Sequence, residues 1–193
     1  MTAPPFPHAR PARVCLNHHA GRGHTPPRKE TCAMTYTAHP DTRVGHVHLK
    51  VSDLDRAIAF YRDVMGFDLV QRYGAQAAFL SAGGYHHHIG LNTWQSRGGQ
   101  PPAPGTTGLF HVAFLYPDRP SLARAFAEVV AAGVAIDGAA DHGVSEAIYF
   151  RDPDENGIEI YRDRPEADWP RDVAGQLEMV NEPLDLHALL AEA

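Results

Sequence analysis

A chain of 193 residues, 44% of them hydrophobic, can bury one core, and its net charge of −6 lacks the basic excess that a phosphate backbone or an anionic lipid surface would select. Nucleic acid and membrane surface are therefore excluded as principal partners. No stretch approaches the roughly 18 uncharged apolar residues of a membrane span, the first residues carry no apolar leader core, and the expected location is cytoplasmic. Both cysteines, Cys15 and Cys32, precede the patterned part of the chain, so any metal chemistry in it rests on His and carboxylate.

Residues 1–40 are rich in Pro, Arg, His and Thr and show neither helical nor strand periodicity. They read as a disordered N-terminal extension, and Met34 offers an alternative translation start. Cys15, His18, His19, His24 and Cys32 have the composition of a zinc ligand set without the spacing of a finger.

The domain proper is expected over 41–166, as two copies of one module at about 44–96 and 108–164. Copy one opens GHVHLKVSDLDRAIAFYRDVMGF. Val47, Leu49 and Val51 alternate with His46, His48 and Lys50, the pattern of a half-buried strand. Asp53 is a helix N-cap, and Leu54, Ala57, Ile58, Tyr61 and Met65 mark one face of a helix ending at Gly66. Copy two opens LFHVAFLYPDRPSLARAFAEVVAAGV, where His111 and Asp118 take the places of His46 and Asp53 at the same offset. Short apolar runs follow each helix: 67–71, 76–81 and 88–94 in copy one; around Ala135, 147–151 and 157–162 in copy two. The predicted fold is α+β, with two βαβββ modules joined edge to edge in a curled mixed sheet around a metal-containing cavity. Residues 167–193 form a C-terminal arm or helix, in which Leu177, Val180, Leu184, Leu186, Leu189 and Leu190 pack on the domain itself or on a partner, the latter pointing to a homodimer.

Three polar residues interrupt the apolar strands. His46 and His111 are related by the repeat, and Glu159, within Ile158-Glu159-Ile160, needs a strong partner if it faces inward. Two imidazoles and a carboxylate are the ligand set of oxygen-activating ferrous sites, although Mn(II) or Zn(II) could occupy it. His48 shares a face with His46 but has no repeat partner, and is read as structural.

The segments GHVHLKVSDLDRAIAFY, YHHHIGLNTW and DHGVSEAIYFRDPDENGIEIYRDRP resemble the vicinal oxygen chelate superfamily of glyoxalases, bleomycin-resistance proteins and extradiol dioxygenases. Within it they look like the small catechol 2,3-dioxygenase-like branch, and the resemblance runs from about 44 to 164. It implies metal ligands at His46, His111 and Glu159, and an Fe(II)-dependent extradiol dioxygenase that takes a small aromatic diol and dioxygen. The position in copy one equivalent to Glu159 is Gly90. A glyoxalase I would be expected to carry a carboxylate ligand there, and Gly90 would leave room for a bidentate diolate. The resemblance also implies proton chemistry at His87, a substrate-facing hydroxyl at Tyr149, and a second His at His142. The alternatives are a glyoxalase-like lyase or isomerase on Ni(II) or Zn(II), a metal-free resistance-type binding protein, and a structural or sensory module.

Overall fold

The computed structural model describes residues 36–193. The expectations for the Cys15 to Cys32 group, for Met34 and for most of the N-terminal extension lie outside the described residues. Both modules and the C-terminal arm belong to one unit, Arg43–Ala193.

Each of the two copies lays down one strand, one helix and three further strands. In the first these are β1 (Val47–Lys50), α1 (Leu54–Ala59) running on into a π-helical turn (Phe60–Val64), β2 (Asp68–Tyr73), β3 (Ala77–Ser81) and β4 (Ile89–Asn92). In the second they are β5 (Val112–Leu115), α2 (Arg119–Ala131), β6 (Ile136–Asp141), β7 (Ser145–Arg151) and β8 (Gly157–Asp163). The helix starts are set in the same way. The Asp53 carboxylate accepts from the Arg56 amide at 3.0 Å and the Asp118 carboxylate from the Ser121 amide at 2.7 Å, each satisfying an amide that the first helical turn leaves free. Gly66 and Gly133 follow the helices with φ of +75° and +70°, a left-handed turn that favours glycine. The face predicted for α1 is the buried one: Leu54, Ala57, Ile58, Tyr61 and Met65 are each at most 8% exposed. On α2 the buried face is Leu122, Ala123, Phe126 and Val129.

The first sheet has the order β1-β4-β3-β2 and the second β5-β8-β7-β6; β1 and β5 run parallel to their neighbours β4 and β8, and the other pairs are antiparallel. Both sheets carry a register shift in the strand after the helix, between Leu69 and Gln71 and between Ile136 and Gly138. The α+β class and the two βαβββ modules are thus as expected. The edge-to-edge join is not: among the described residues no backbone ladder links β1 or β5 to the other sheet. Side chains connect the modules instead. Phe67 meets Phe114 with ring centroids 5.2 Å apart. The Asp152 to Asn156 turn of module two receives the Tyr61 hydroxyl on Asp152 at 3.0 Å, and Ser52 and Arg56 on Asp154 at 2.5 and 2.7 Å. These contacts lie around a single apolar cluster drawn from both modules.

Beyond β8 the chain makes a short 3-10 turn (Glu166–Asp168), a two-residue strand β9 (Glu182–Pro183) on the free edge of β6, and the helix α3 (Leu186–Leu190). Leu189 is fully buried against its own domain, where α3 packs on α2, while Leu177 and Val180 remain 47% and 37% exposed. No helix among the described residues is long and apolar enough to cross a membrane.

Candidate functional site

Glu159 lies in the middle of β8 between the buried Ile158 and Ile160. Its rung of the sheet runs Ala113, Glu159, Tyr149 across β5, β8 and β7. The matching rung of module one runs His48, Gly90, Phe79 across β1, β4 and β3. Gly90 is therefore the counterpart of Glu159, as the sequence pattern implies, and Phe79 is the counterpart of Tyr149 without its hydroxyl.

His111 directly precedes β5, and its Nε2 stands 2.9 Å from Oε2 of Glu159. The Tyr149 hydroxyl lies 3.5 Å from Oε1 of the same carboxylate and 2.9 Å from Nε2 of His142. Burial, then the Glu159 charge and the hydrogen bond to it, push the Tyr149 phenol up to about 12, so it keeps its proton at neutral pH. Four of the six predicted residues, His111, Glu159, Tyr149 and His142, thus form one connected chain of contacts in module two.

The other two are brought together in module one. His46 directly precedes β1 rather than lying within it, and its ring meets that of His87 at a centroid distance of 4.5 Å. His87 also contacts Phe79 at 5.0 Å, and its Nδ1 lies 2.8 Å from Nδ1 of His86. Burial, with the neighbouring His46, His86, His48 and His88, lowers the His87 imidazole below its ordinary 6.5, favouring the neutral ring.

Among the described residues no three His, Cys, Asp or Glu side chains converge closely enough to hold a metal ion, so His46 is not brought to His111 and Glu159. Both histidines stand just before the edge strands β1 and β5, which share no backbone ladder among the described residues. At Gly90 a Cβ would stand 2.9 Å from the His48 ring. His48, read as structural, covers the position where a fourth carboxylate ligand would sit, with Trp94 and Phe79 at 5.6 and 6.1 Å. The signal for it was a glycine in an apolar strand, which marks close approach of another group.

The fit to a metal rests on donor chemistry and one spacing. Metal–nitrogen and metal–oxygen bonds near 2.1 Å at right angles place adjacent donor atoms about 3 Å apart, and His111 Nε2 and Glu159 Oε2 have that separation. Beside them opens a cavity of about 300 Å³ lined by Phe110, His111, Tyr149 and Arg151. Gly157 closes its floor, because a Cβ there would run into the Phe110 carbonyl oxygen. A larger cavity of about 720 Å³ lies near the start of α1, lined by Ser52, Arg56, Arg97 and Asp154, and none of the predicted site residues borders it.

A doubled βαβββ fold, with His111 set against the Glu159 carboxylate in the second copy only, defines a paired-module protein whose two halves differ in chemistry. Residues 43–160, about three-fifths of the chain, match the Glyoxalase/Bleomycin resistance protein/Dioxygenase superfamily, and the chain belongs to that family. It is 41% identical over 155 residues to a catechol-2,3-dioxygenase of Bacillus subtilis, covering 80% of this chain and 53% of the relative. It is 31% identical over 121 residues to a biphenyl-2,3-diol 1,2-dioxygenase of Rhodococcus globerulus, covering 63% of each. The chain therefore spans about half of the first relative and under two-thirds of the second. Among solved structures, a glyoxylase/bleomycin resistance protein/dioxygenase domain from Frankia superposes with a TM-score of 0.54 at 25% identity, covering 64% of this chain and 98% of that one.

Proposed function

We propose that this protein is an extradiol ring-cleaving dioxygenase that uses ferrous iron and takes a small aromatic diol and dioxygen as substrates. The observation that carries the reading is the His111 and Glu159 pair, set at the spacing of adjacent metal ligands, with Tyr149 beside Glu159 on its rung. The names of the two relatives, both diol dioxygenases, support the same class. A cytoplasmic location and a homodimer belong to the same reading.

In it, His111 and Glu159 would hold the ion, with His46 as the third donor that the resemblance implies. Bound there, ferrous iron supplies the charge stabilisation and redox chemistry that ring cleavage by dioxygen requires. The chain's own residues do the rest. Tyr149 stays protonated, with its phenol oxygen beside the cavity. His87, favoured as the neutral ring, accepts a proton from the diol and returns it to the product. Phe110 offers the cavity an apolar face against which an aromatic ring can stack.

The test is oxygen uptake by anaerobically prepared, ferrous-loaded protein against a panel of catechols that includes biphenyl-2,3-diol. Oxygen consumption with formation of a yellow ring-opened product is expected. No turnover across the panel, with iron shown to be bound, overturns the reading.

A further inference from the structure

The family match ends at residue 160, yet the chain beyond it returns to the site at one place. After the 3-10 turn the backbone folds back along β6. The Val180 amide donates to the His142 carbonyl at 3.1 Å, and β9 pairs with Ala140 and Asp141. Gly143 permits this close approach: its φ is +73°, and a Cβ there would stand 2.7 Å from Cγ of Pro170 and 3.2 Å from Cγ2 of Val180. Held in this way, the Val180 carbonyl oxygen lies 3.0 Å from Nδ1 of His142.

That contact decides where the imidazole keeps its proton. A carbonyl oxygen can only accept, so Nδ1 must carry the hydrogen, and in a neutral ring Nε2 is then a lone pair. Nε2 is 2.9 Å from the Tyr149 hydroxyl, which has one hydrogen and two acceptors in reach: Nε2, and Glu159 Oε1 at 3.5 Å. The shorter contact takes the hydrogen. With the proton on Nε2 instead, His142 would donate to the phenol oxygen, and Tyr149 would turn its hydrogen towards Glu159.

We infer that the Val180 carbonyl, on the C-terminal arm, is a positioning group of this site: it holds His142 as the Nδ1–H tautomer, and so directs the Tyr149 hydroxyl towards His142 and away from Glu159. The consequence for turnover rests on the dioxygenase reading. The tautomer itself is a property of the resting protein.

The experiment is long-range proton–nitrogen correlation on the full chain labelled with 15N-histidine, with the His142 signals identified by their loss in His142→Gln. A protonated Nδ1 and an unprotonated Nε2 are expected in the wild type near neutral pH. Val180→Pro, which removes the N–H that donates to the His142 carbonyl, and Gly143→Val, which pushes Pro170 and Val180 away, should each shift His142 towards the Nε2–H form. Each should also lower kcat about tenfold with a smaller change in KM. A wild type with its proton on Nε2, or a tautomer unmoved in both variants, overturns the inference. Oxygen uptake is read separately on the same samples. Wild type that carries the proton on Nδ1 but turns over no diol retires the dioxygenase reading and leaves the role of the arm standing.

Discussion

The two equivalent rungs, His48, Gly90, Phe79 in module one and Ala113, Glu159, Tyr149 in module two, have the same ladder positions and opposite chemistry. In each, one large polar side chain faces a small residue on the neighbouring parallel strand. Module one puts the large group on the outer strand, where the His48 ring lies over Gly90. Module two puts it on the inner strand, where Glu159 is flanked by His111 and Tyr149 and its side chain is only 12% exposed. A duplicated framework has thus been filled so that one copy presents an anionic donor among hydrogen-bonding partners and the other an aromatic wall with an imidazole. The difference teaches that the repeat fixes where side chains stand, while the choice of residue at each rung decides which copy presents a carboxylate.

The largest effect should come from the rung that carries the carboxylate. Glu159→Ala should abolish iron binding and lower oxygen uptake by at least about a hundredfold, whereas His87→Ala should lower uptake with iron content nearly intact; metal analysis beside rate measurement separates the two. Equal iron loss in both variants would break the assignment of metal to module two. Next in size is the floor of the module-two cavity. Gly157→Ala drives a Cβ into a backbone oxygen that cannot swing aside, and should cost more than about 3 kcal/mol in urea unfolding.

Close behind is the buried carboxylate that braces module two. Glu146 is 4% exposed and accepts from Arg119, Arg162 and Arg164 at 2.9 to 3.0 Å. Glu146→Gln would leave three guanidinium groups without their shared counter-charge, at a cost of about 3 kcal/mol in the same measurement. The module-one counterpart of the glycine test is milder. Gly90→Ala meets only the His48 ring, which can rotate, and about 1 kcal/mol is expected.

The smallest effect is in pH. Burial pushes the Glu146 carboxyl upward, but Arg162 and Arg119 outweigh it and hold the group below its ordinary 4.5. Its folded value being depressed, the stability it contributes is present above 4.5 and is lost as pH falls through the folded value. The gap in urea midpoint between wild type and Glu146→Gln should therefore be constant from pH 7 to 5 and narrow below 4.5. A gap that stays constant down to pH 3 would show that the arginines do not act on this charge.

Much of this was legible in the sequence because it is local. The offset shared by His46 with His111 and Asp53 with Asp118 set strand and helix starts, the apolar spacing of Leu54, Ala57, Ile58, Tyr61 and Met65 gave the buried face of α1, and the Ile-x-Leu against Ile-x-Ile pattern paired Gly90 with Glu159. What the sequence hid depends on long-range placement. Whether His46 reaches His111 turns on contact between two sheets whose edge strands, β1 and β5, are four residues each and make no ladder with each other. The hold of Val180 on His142 joins residues 38 positions apart through a backbone oxygen, which has no side-chain signature. The two bulges, after Leu69 and after Ile136, leave the alternation of apolar residues almost unbroken, and only the register reveals them.

The turn that reaches from module two onto α1 gives the duplication a history it cannot reverse. Its Asp152 receives the Tyr61 hydroxyl in a buried contact, and its Asp154 holds Ser52 and Arg56. The two copies are lock and key to each other, because Tyr61 and Arg56 belong to one and both aspartates to the other. Neither half could be exchanged for a second copy of its sibling without leaving buried polar groups unmatched. A chain cut in the exposed stretch between β4 and β5 would therefore be expected to stay a single particle, its pieces recognising one another as a split protein does.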